Sequence, residues 1–231
     1  MTLSGSLRSA PAGIKGFDAN VTISASVAKQ FIAAGYQFAV RYVGRTQMAS
    51  HDLTAQEAST LLEAGLALMA VQHVEAGEWM PSGELGTEYG RNAGQFTAAI
   101  GFPAGVNVWL DLESVSGSAA EADVIAYCNN WYDQVAAAGF TPGIYVGWQP
   151  MIPNSDLYRK LKFAHYWGAY NVDAVIPVRG WVMKQTPAHT QVAGIEHDDN
   201  FTHVDGSGGQ VIWLAPPGSA SAAALGTPFA V

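Results

Sequence analysis

The chain has 231 residues, of which 49% are hydrophobic and 13% are charged, a composition that excludes a disordered protein. Its 19 acidic and 11 basic residues give a net charge of −8, so binding to nucleic acid through phosphate contacts is not expected. The single cysteine, Cys128, excludes an internal disulfide framework.

No segment typical of membrane insertion or secretion is recognisable. The first residues lack the apolar stretch of a signal peptide, and no apolar run reaches the roughly 18 residues needed to span a membrane. We therefore predict no membrane span, and the composition leaves the localisation open.

Strand-like and helix-like segments alternate along the chain. Thr54 and Glu57 are spaced as a capping box at the start of one helix, and Gly35 is placed to end the helix before it. In chain order the predicted elements are a strand over 13–20, a helix over 24–35, a strand over 38–44, a helix over 54–65, a strand over 66–74, a helix over 84–100, a strand over 107–114, a helix over 119–138, a strand over 142–148, a helix over 156–162, and strands over 163–170, 181–186 and 195–201.

Eight strands joined mostly by helices indicate parallel βαβ units, and this length suits one (β/α)8 TIM-like barrel. The late connections are short, so irregularity is expected in the C-terminal third. The predicted domains are a flexible segment over 1–12, the barrel over 13–214 and a low-complexity tail over 215–231. A doubly wound open sheet is the alternative, but neither G-x-G-x-x-G nor G-x-x-x-x-G-K-[ST] is present, and no cofactor is predicted.

The strand over 107–114 (NVWLDLES) ends in two carboxylates. Because side chains alternate along a strand, Trp109, Asp111 and Glu113 share one face. A polar strand end that runs into a loop would explain this pair equally well if it stood alone. Burying two acids is costly, however, so solvent, a metal ion or catalysis must provide a reason for them.

Further acids lie near the ends of the first and last predicted strands. Asp18 ends the first strand, and Asp198 and Asp199 lie in the eighth. These two strands adjoin in a closed barrel, and functional residues of parallel barrels lie at the C-terminal ends of strands. We therefore predict one acid cluster, in which like charges raise the pKa of at least one carboxyl. One member of the late pair is expected to face outward.

Five short motifs together resemble the glycoside hydrolase family 25 lysozymes, and resemble more closely their relatives in the glycoside-hydrolase-like family known as domain of unknown function 1906. The motifs are GFD at 16–18, DLE at 111–113, GIY at 143–145, WVMKQ at 181–185 and DDNF at 198–201. The resemblance covers residues 13–214. The family's V-D-L-N pattern reads HDDN at 197–200, so the register between the two late aspartates stays open.

The resemblance implies roles for the acids. Glu113 becomes the proton donor, and Asp111 becomes the nucleophile or the group that orients a substrate acetamido nucleophile. Asp18 and Asp198 become electrostatic and positioning residues.

Aromatic residues on the late strands independently suit a sugar site, because flat rings stack on sugar faces, although about half of them are expected to be core. Arg41 is expected to pair with the acid cluster and to hold some of its carboxylates ionised. The predicted substrate-binding residues are Arg41, Tyr145, Tyr166, Trp167, Tyr170 and Gln185.

The resemblance implies a glycoside hydrolase that cleaves a peptidoglycan-like polysaccharide by carboxylate general-acid catalysis, as lysozymes and muramidases do, and we expect a monomer. Such a protein would reach a cell wall or extracellular glycan by a route other than a recognisable signal peptide. A non-catalytic glycan-binding barrel is one alternative. A metal-dependent hydrolase is another, but no H-x-H or H-E-x-x-H spacing supports it, and no metal ligand is predicted. The histidines considered for it are His73, His165, His197 and His203.

Overall fold

The computed structural model of the protein describes residues 2–170 and 176–219. Within these ranges lie ten strands and five helices. The strands are β1 (Ser6–Ser9), β2 (Lys15–Ala19), β3 (Phe38–Val43), β4 (Ala67–Gln72), β5 (Asn107–Leu112), β6 (Thr141–Val146), β7 (His165–Gly168), β8 (Met183–Val192), β9 (Ile195–Thr202) and β10 (Ile212–Ala215). The helices are α1 (Ala25–Ala33), α2 (Ala55–Ala64), α3 (Gly83–Ile100), α4 (Glu121–Ala137) and α5 (Asn154–Arg159).

Eight of the strands close into a barrel. Strands β2 to β8 pair in parallel with their barrel neighbours, and a β4–β5 pairing completes the parallel part of the ring. The predicted (β/α)8 TIM-like barrel is therefore confirmed. The helices before β8 cover the outside, as the alternation of elements indicated.

The last barrel strand differs from the predicted parallel arrangement. Strand β9 pairs antiparallel with both β8 and β2, so a hairpin replaces the final crossover. Its turn, Ala193-Gly194, has positive φ at both residues, which is the geometry of a type I′ two-residue hairpin. Asp198 consequently lies in the middle of an antiparallel strand and not at the C-terminal end of a parallel one.

A two-stranded ribbon is attached to the barrel. Strand β1, which lies within the segment predicted to be flexible, pairs antiparallel with β10, and β10 contacts β4 through Leu214 and Leu68. Trp213 of this ribbon packs 5.4 Å from the Phe38 ring at the start of β3. The ribbon therefore covers the N-terminal end of the barrel. Of the predicted 215–231 tail, residues 220–231 lie outside the described residues.

The helix caps follow the sequence signals. The Thr54 hydroxyl accepts a 3.1 Å hydrogen bond from the Glu57 backbone N–H, and Gly65 ends α2 in the left-handed conformation that glycine favours. The Glu57 side chain does not return to Thr54, because it binds Arg41 and the Ile23 backbone N–H instead. Among the described residues no helix has the length and apolar character needed to cross a membrane.

Aromatic side chains fill the barrel interior. Trp109 and Trp167 meet edge to face with ring centroids 5.8 Å apart, and both are fully buried. The Trp109 indole N–H donates to the Met69 sulfur, and the Trp167 indole N–H donates to the Asn200 side-chain oxygen at 2.8 Å. These rings close the barrel below its C-terminal rim, so the space above them is a shallow cleft and not a channel.

Candidate active site

A pocket of about 90 Å³ lies above the two tryptophans, at the C-terminal ends of the parallel strands. Its walls come from seven different strands and from the residue that follows β5. The lining residues are Tyr42, Val71, Asp111, Glu113, Tyr145, Trp167, Gln185 and Asp198. An adjoining groove of about 220 Å³ shares Tyr42 and Asp198 with this pocket and brings in Asp18. The four predicted acids therefore meet at one end of the barrel.

Asp111 and Glu113 enter the pocket as strand alternation predicted. Burial raises the pKa of Asp111 well above its usual range, and the nearby Glu113 and Asp18 raise it further. Burial also raises the pKa of Glu113, while a hydrogen bond with the Trp148 backbone opposes the rise and Asp198 adds to it. Within the described part of the chain, Asp111 Oδ1 is buried without a hydrogen-bond partner. Both carboxyls thus favour the protonated form more than exposed acids do.

Asp18 accepts three side-chain hydrogen bonds. Its Oδ2 accepts bonds from the side-chain amides of Asn200 at 2.7 Å and Gln185 at 3.1 Å, and its Oδ1 accepts a 3.3 Å bond from the Tyr42 hydroxyl. Burial raises the pKa of Asp18 to about 6, although the Asn200 bond opposes the rise, and Asp198 adds to it. The side chain is 4% exposed, so it orders the walls of the cleft and meets solvent very little.

Gln185 links the acids to the aromatic wall. Its side-chain oxygen accepts a 2.9 Å bond from the Tyr145 hydroxyl, and its amide also lies 3.4 Å from Asp198 Oδ2. The amide thus lies between Asp18 and Asp198 and contacts both of these carboxylates, which would otherwise repel each other. Gln185, Tyr145 and Trp167 lie in the cleft, where the sequence placed its substrate-binding residues.

Arg41 does not join the acid cluster, and this prediction was wrong. Its buried guanidinium lies on the outer face of β3, where Nε donates to Glu57 at 2.8 Å, Nη2 donates to the His51 carbonyl at 2.9 Å, and Nη1 donates to the Ala19 carbonyl. The next residue, Tyr42, points inward in its place. An arginine on a barrel strand is costly to bury without a partner, and the glutamate of α2 supplies one on the outside.

Tyr166, which the sequence predicted to bind substrate, lies outside the cleft. It lies on the outer face of β7, fully buried, and its hydroxyl donates to the Leu157 carbonyl of α5 at 2.6 Å. Tyr170, beyond the end of β7, is not among the residues that line the pocket or the adjoining groove. Trp148, unlike Tyr166, is exposed, with 55% of its surface open to solvent. Its backbone carbonyl accepts a hydrogen bond from the backbone N–H of Ser114, the residue after Glu113.

The two late aspartates face opposite sides of β9. Asp198 lines the pocket, whereas Asp199 accepts a 2.5 Å hydrogen bond from the Tyr36 hydroxyl and pairs with Lys15 at 3.1 Å outside the barrel. This resolves the register that the sequence left open. The predicted site omitted Tyr42 and Val71, which line the pocket, and Asn200, which donates to Asp18.

The four histidines of the metal-hydrolase alternative do not converge. His73 contacts Asp52, His165 contacts Asn107, and His197 contacts Tyr36, each within its own hydrogen-bond network. His203 follows β9, at the opposite end of the barrel from the cleft. Of these four histidines only His197 reaches the site, as one wall of the adjoining groove, and none lines the pocket that holds Asp111 and Glu113.

Known proteins resemble the chain in both sequence and fold. The model of the Rv2525c-like, glycoside hydrolase-like domain family matches residues 29–207, while no curated protein matches the chain. The Mycobacterium tuberculosis Tat-secreted protein Rv2525c, solved in complex with L-tartrate, has a TM-score of 0.63 at 18% identity, with 84% of this chain and 96% of that chain covered.

Two further solved structures share the barrel. An uncharacterized B. stearothermophilus protein has a TM-score of 0.64 at 17% identity, with 83% of this chain and 96% of that chain covered. The bacterial lysozyme from Streptomyces coelicolor has a TM-score of 0.57 at 16% identity, with coverages of 84% and 94%. Identities this low establish the fold alone, whereas the family model covers most of the chain. The chain therefore belongs to the Rv2525c-like family of glycoside hydrolase-like domains, whose barrel is shared with lysozymes.

Proposed function

We propose that the protein hydrolyses a glycosidic bond in a peptidoglycan-type polysaccharide, with Glu113 as the general acid. The observation that carries this proposal is the pairing of Glu113 and Asp111 in one pocket, where burial raises the pKa of both. A general acid must hold its proton near neutral pH, and an apolar setting with neighbouring carboxylates is the usual means of keeping it.

Asp111 is better suited to orienting the substrate than to attacking it. A nucleophilic carboxylate must be ionised, but burial, Glu113 and Asp18 all raise the pKa of Asp111. Arg41 does not offset this, because it pairs with Glu57 on the outer face of β3. Asp111 Oδ1, which has no partner among the described residues, remains available for a substrate hydrogen bond. We therefore assign it to holding an acetamido group, whose oxygen attacks the anomeric carbon as Glu113 protonates the leaving oxygen.

The dimensions of the site suit these roles of Glu113 and Asp111. The pocket of about 90 Å³ is small, so we assign it to a sugar substituent such as an acetamido group. The sugar rings would then lie along the adjoining groove of about 220 Å³, whose walls include Asp18 and Tyr42. The exposed Trp148 indole, beside Glu113 in the chain fold, offers a flat face for stacking.

The direct test is incubation with purified peptidoglycan in a buffer containing EDTA, followed by mass spectrometry for new reducing ends. We expect cleavage of N-acetylated peptidoglycan, and much slower cleavage after chemical de-N-acetylation removes the attacking group. Carboxylates alone can run this reaction, so the chelator should not suppress it. Sedimentation with insoluble peptidoglycan but no new reducing ends would contradict the enzyme and support the glycan-binding barrel.

Gly147 provides a test of how closely Glu113 must be positioned. A Cβ added to this residue, which follows β6, would lie 2.6 Å from the Glu113 Cβ and 2.9 Å from a Tyr145 ring carbon. We expect Gly147→Ala to displace Glu113 by a fraction of an ångström and to lower the rate of glycan cleavage about tenfold. Gly117→Ala is the matched control, because its Cβ would meet only Gln149 at 3.6 Å. Equal activity of the two variants would show that the position of Glu113 is not limiting.

A further inference from the structure

A second cluster of chemically competent side chains lies on the same rim of the barrel, outside the acid cleft. His51 and Asp52 belong to the connection between β3 and α2, and His73 directly follows β4. One nitrogen of each imidazole and one oxygen of Asp52 lie within 4.8 Å of one another. Sequence spacing gives little sign of this cluster, because Asp52 and His73 lie 21 positions apart.

We propose that His51, Asp52 and His73 bind a divalent transition-metal ion, with Zn²⁺ as the best match. Two imidazoles and one carboxylate form a ligand set that zinc accepts readily, and a hard cation such as Mg²⁺ would require more oxygen ligands. This proposal does not depend on the proposed glycosidase activity.

The distances require only a small adjustment to accommodate the ion. His73 Nε2 lies 2.6 Å from Asp52 Oδ1, and His51 Nε2 lies 3.8 Å from the same oxygen. Ligand atoms around a tetrahedral zinc are about 3.3 Å apart, since each bond is roughly 2.0–2.1 Å long. The carboxylate and the His73 ring must therefore separate slightly, and the His51 side chain must move inward. His51 can do so, because 47% of its side chain is exposed.

The surrounding structure already positions the three groups. Asp52 is fully buried, and its second oxygen accepts a 2.7 Å bond from the Ala49 backbone N–H. The His73 ring stacks on Tyr42 with centroids 4.7 Å apart. The buried Arg41 donates to the His51 carbonyl at 2.9 Å and so fixes the backbone of this loop. Outer contacts of this kind orient metal ligands and strengthen binding.

The charges around the cluster also suit a cation. Arg45 lies in the same pocket and would repel a metal ion, but it pairs with Glu75 at 3.2 Å. That pair offsets the arginine charge and leaves Asp52 to balance the ion.

Three protein ligands leave one position of a tetrahedral ion open. The cluster borders a pocket of about 360 Å³, which offers space for water or for an oxygen of an incoming ligand. Asn20 lines both this pocket and the groove that contains Asp18. A ligand on the ion would therefore lie on the same rim as the proposed glycan groove.

The test titrates the full chain, prepared with chelator and dialysed, with Zn²⁺ by calorimetry and with Co²⁺ by visible absorption. We expect one ion per chain and the absorption of four-coordinate cobalt with nitrogen and oxygen ligands. His51→Gln and His73→Gln should each weaken binding at least about tenfold. His203→Gln, at the opposite end of the barrel, is the matched control and should bind as the unaltered protein does.

His51→Gln is the decisive variant, because it alters an exposed side chain and should leave the thermal unfolding of the apo protein unchanged. Zinc should raise the unfolding temperature of the unaltered protein and of His203→Gln, and at the same concentration it should raise that of His51→Gln much less. Failure of the unaltered protein to bind either ion at millimolar concentration would overturn the proposal. Equal binding by all four proteins would overturn it as well, since the ion would then be held elsewhere.

Discussion

Replacing Glu113 with glutamine is expected to lower the rate of glycan hydrolysis by about 10²- to 10⁴-fold. The amide keeps the size of the side chain and can retain a hydrogen bond with the Trp148 backbone, but it carries no proton to give to the leaving oxygen. Because burial already favours the neutral form of Glu113, removing the charge should not disturb the fold. The measurement is the initial rate of reducing-end formation from peptidoglycan, together with a thermal melt.

The same variant separates acid catalysis from other roles when it is given a substrate whose leaving group needs no protonation. We expect a much smaller loss on that substrate, because only the proton-transfer step is removed. Glu88→Gln, an exposed substitution on α3, is the control and should match the unaltered protein. Equal losses on both substrates would show that Glu113 is not the general acid. Full activity of Glu113→Gln on peptidoglycan would refute a catalytic role for Asp111 and Glu113.

Asp18→Asn is expected to stabilise the protein at neutral pH by up to about 3 kcal/mol. Burial holds the pKa of Asp18 at about 6 in the folded state, against an ordinary value of 3.8, so ionising this residue costs folding free energy. The asparagine oxygen can still accept from Asn200 and Gln185, and its amide can donate to the Tyr42 hydroxyl. In a domain of this size the gain corresponds to several degrees in unfolding temperature.

The raised pKa of Asp18 determines how the stabilisation by Asp18→Asn varies with pH. A raised folded pKa means that the folded protein binds the Asp18 proton more tightly than the unfolded chain does. The contribution of Asp18 to stability is therefore complete below about pH 3.8 and is lost as the pH rises through 6. The advantage of Asp18→Asn, measured by urea denaturation, should be largest above pH 6 and should shrink toward pH 4. An advantage that does not vary with pH would contradict the assignment.

Strand alternation was sufficient to place the central pair of acids. Asp111 and Glu113 lie two residues apart at the end of an apolar strand, so one inward face follows directly from the period of two. The same rule could not orient β3, because both of its faces are buried and apolar apart from Arg41 and Tyr42. Which of these two points inward depends on Glu57 of α2, a partner that only the tertiary structure supplies.

The direction of β9 also lay beyond the sequence pattern. An antiparallel strand and a parallel one carry the same alternation, and the Ala193-Gly194 turn is a weak hairpin signal without the usual asparagine or aspartate. Alternation still required that Asp198 and Asp199 face opposite sides, and only the register with β2 showed which one enters the cleft. The cluster of His51, Asp52 and His73 was missed because loops from two different strands bring it together.

The hairpin that closes the barrel has a kinetic consequence. The hydrogen bond between Asp18 and Asn200 joins residues 182 positions apart, so the entropy of closing that long loop must be overcome before β9 can dock on β2. The local βα units can collapse earlier, while Asp198 is still remote from Asp18 and Glu113. Electrostatic repulsion between Asp198 and the acids of the parallel strands thus arises at the last stage of folding, and it should slow barrel closure more at neutral pH than at pH 5.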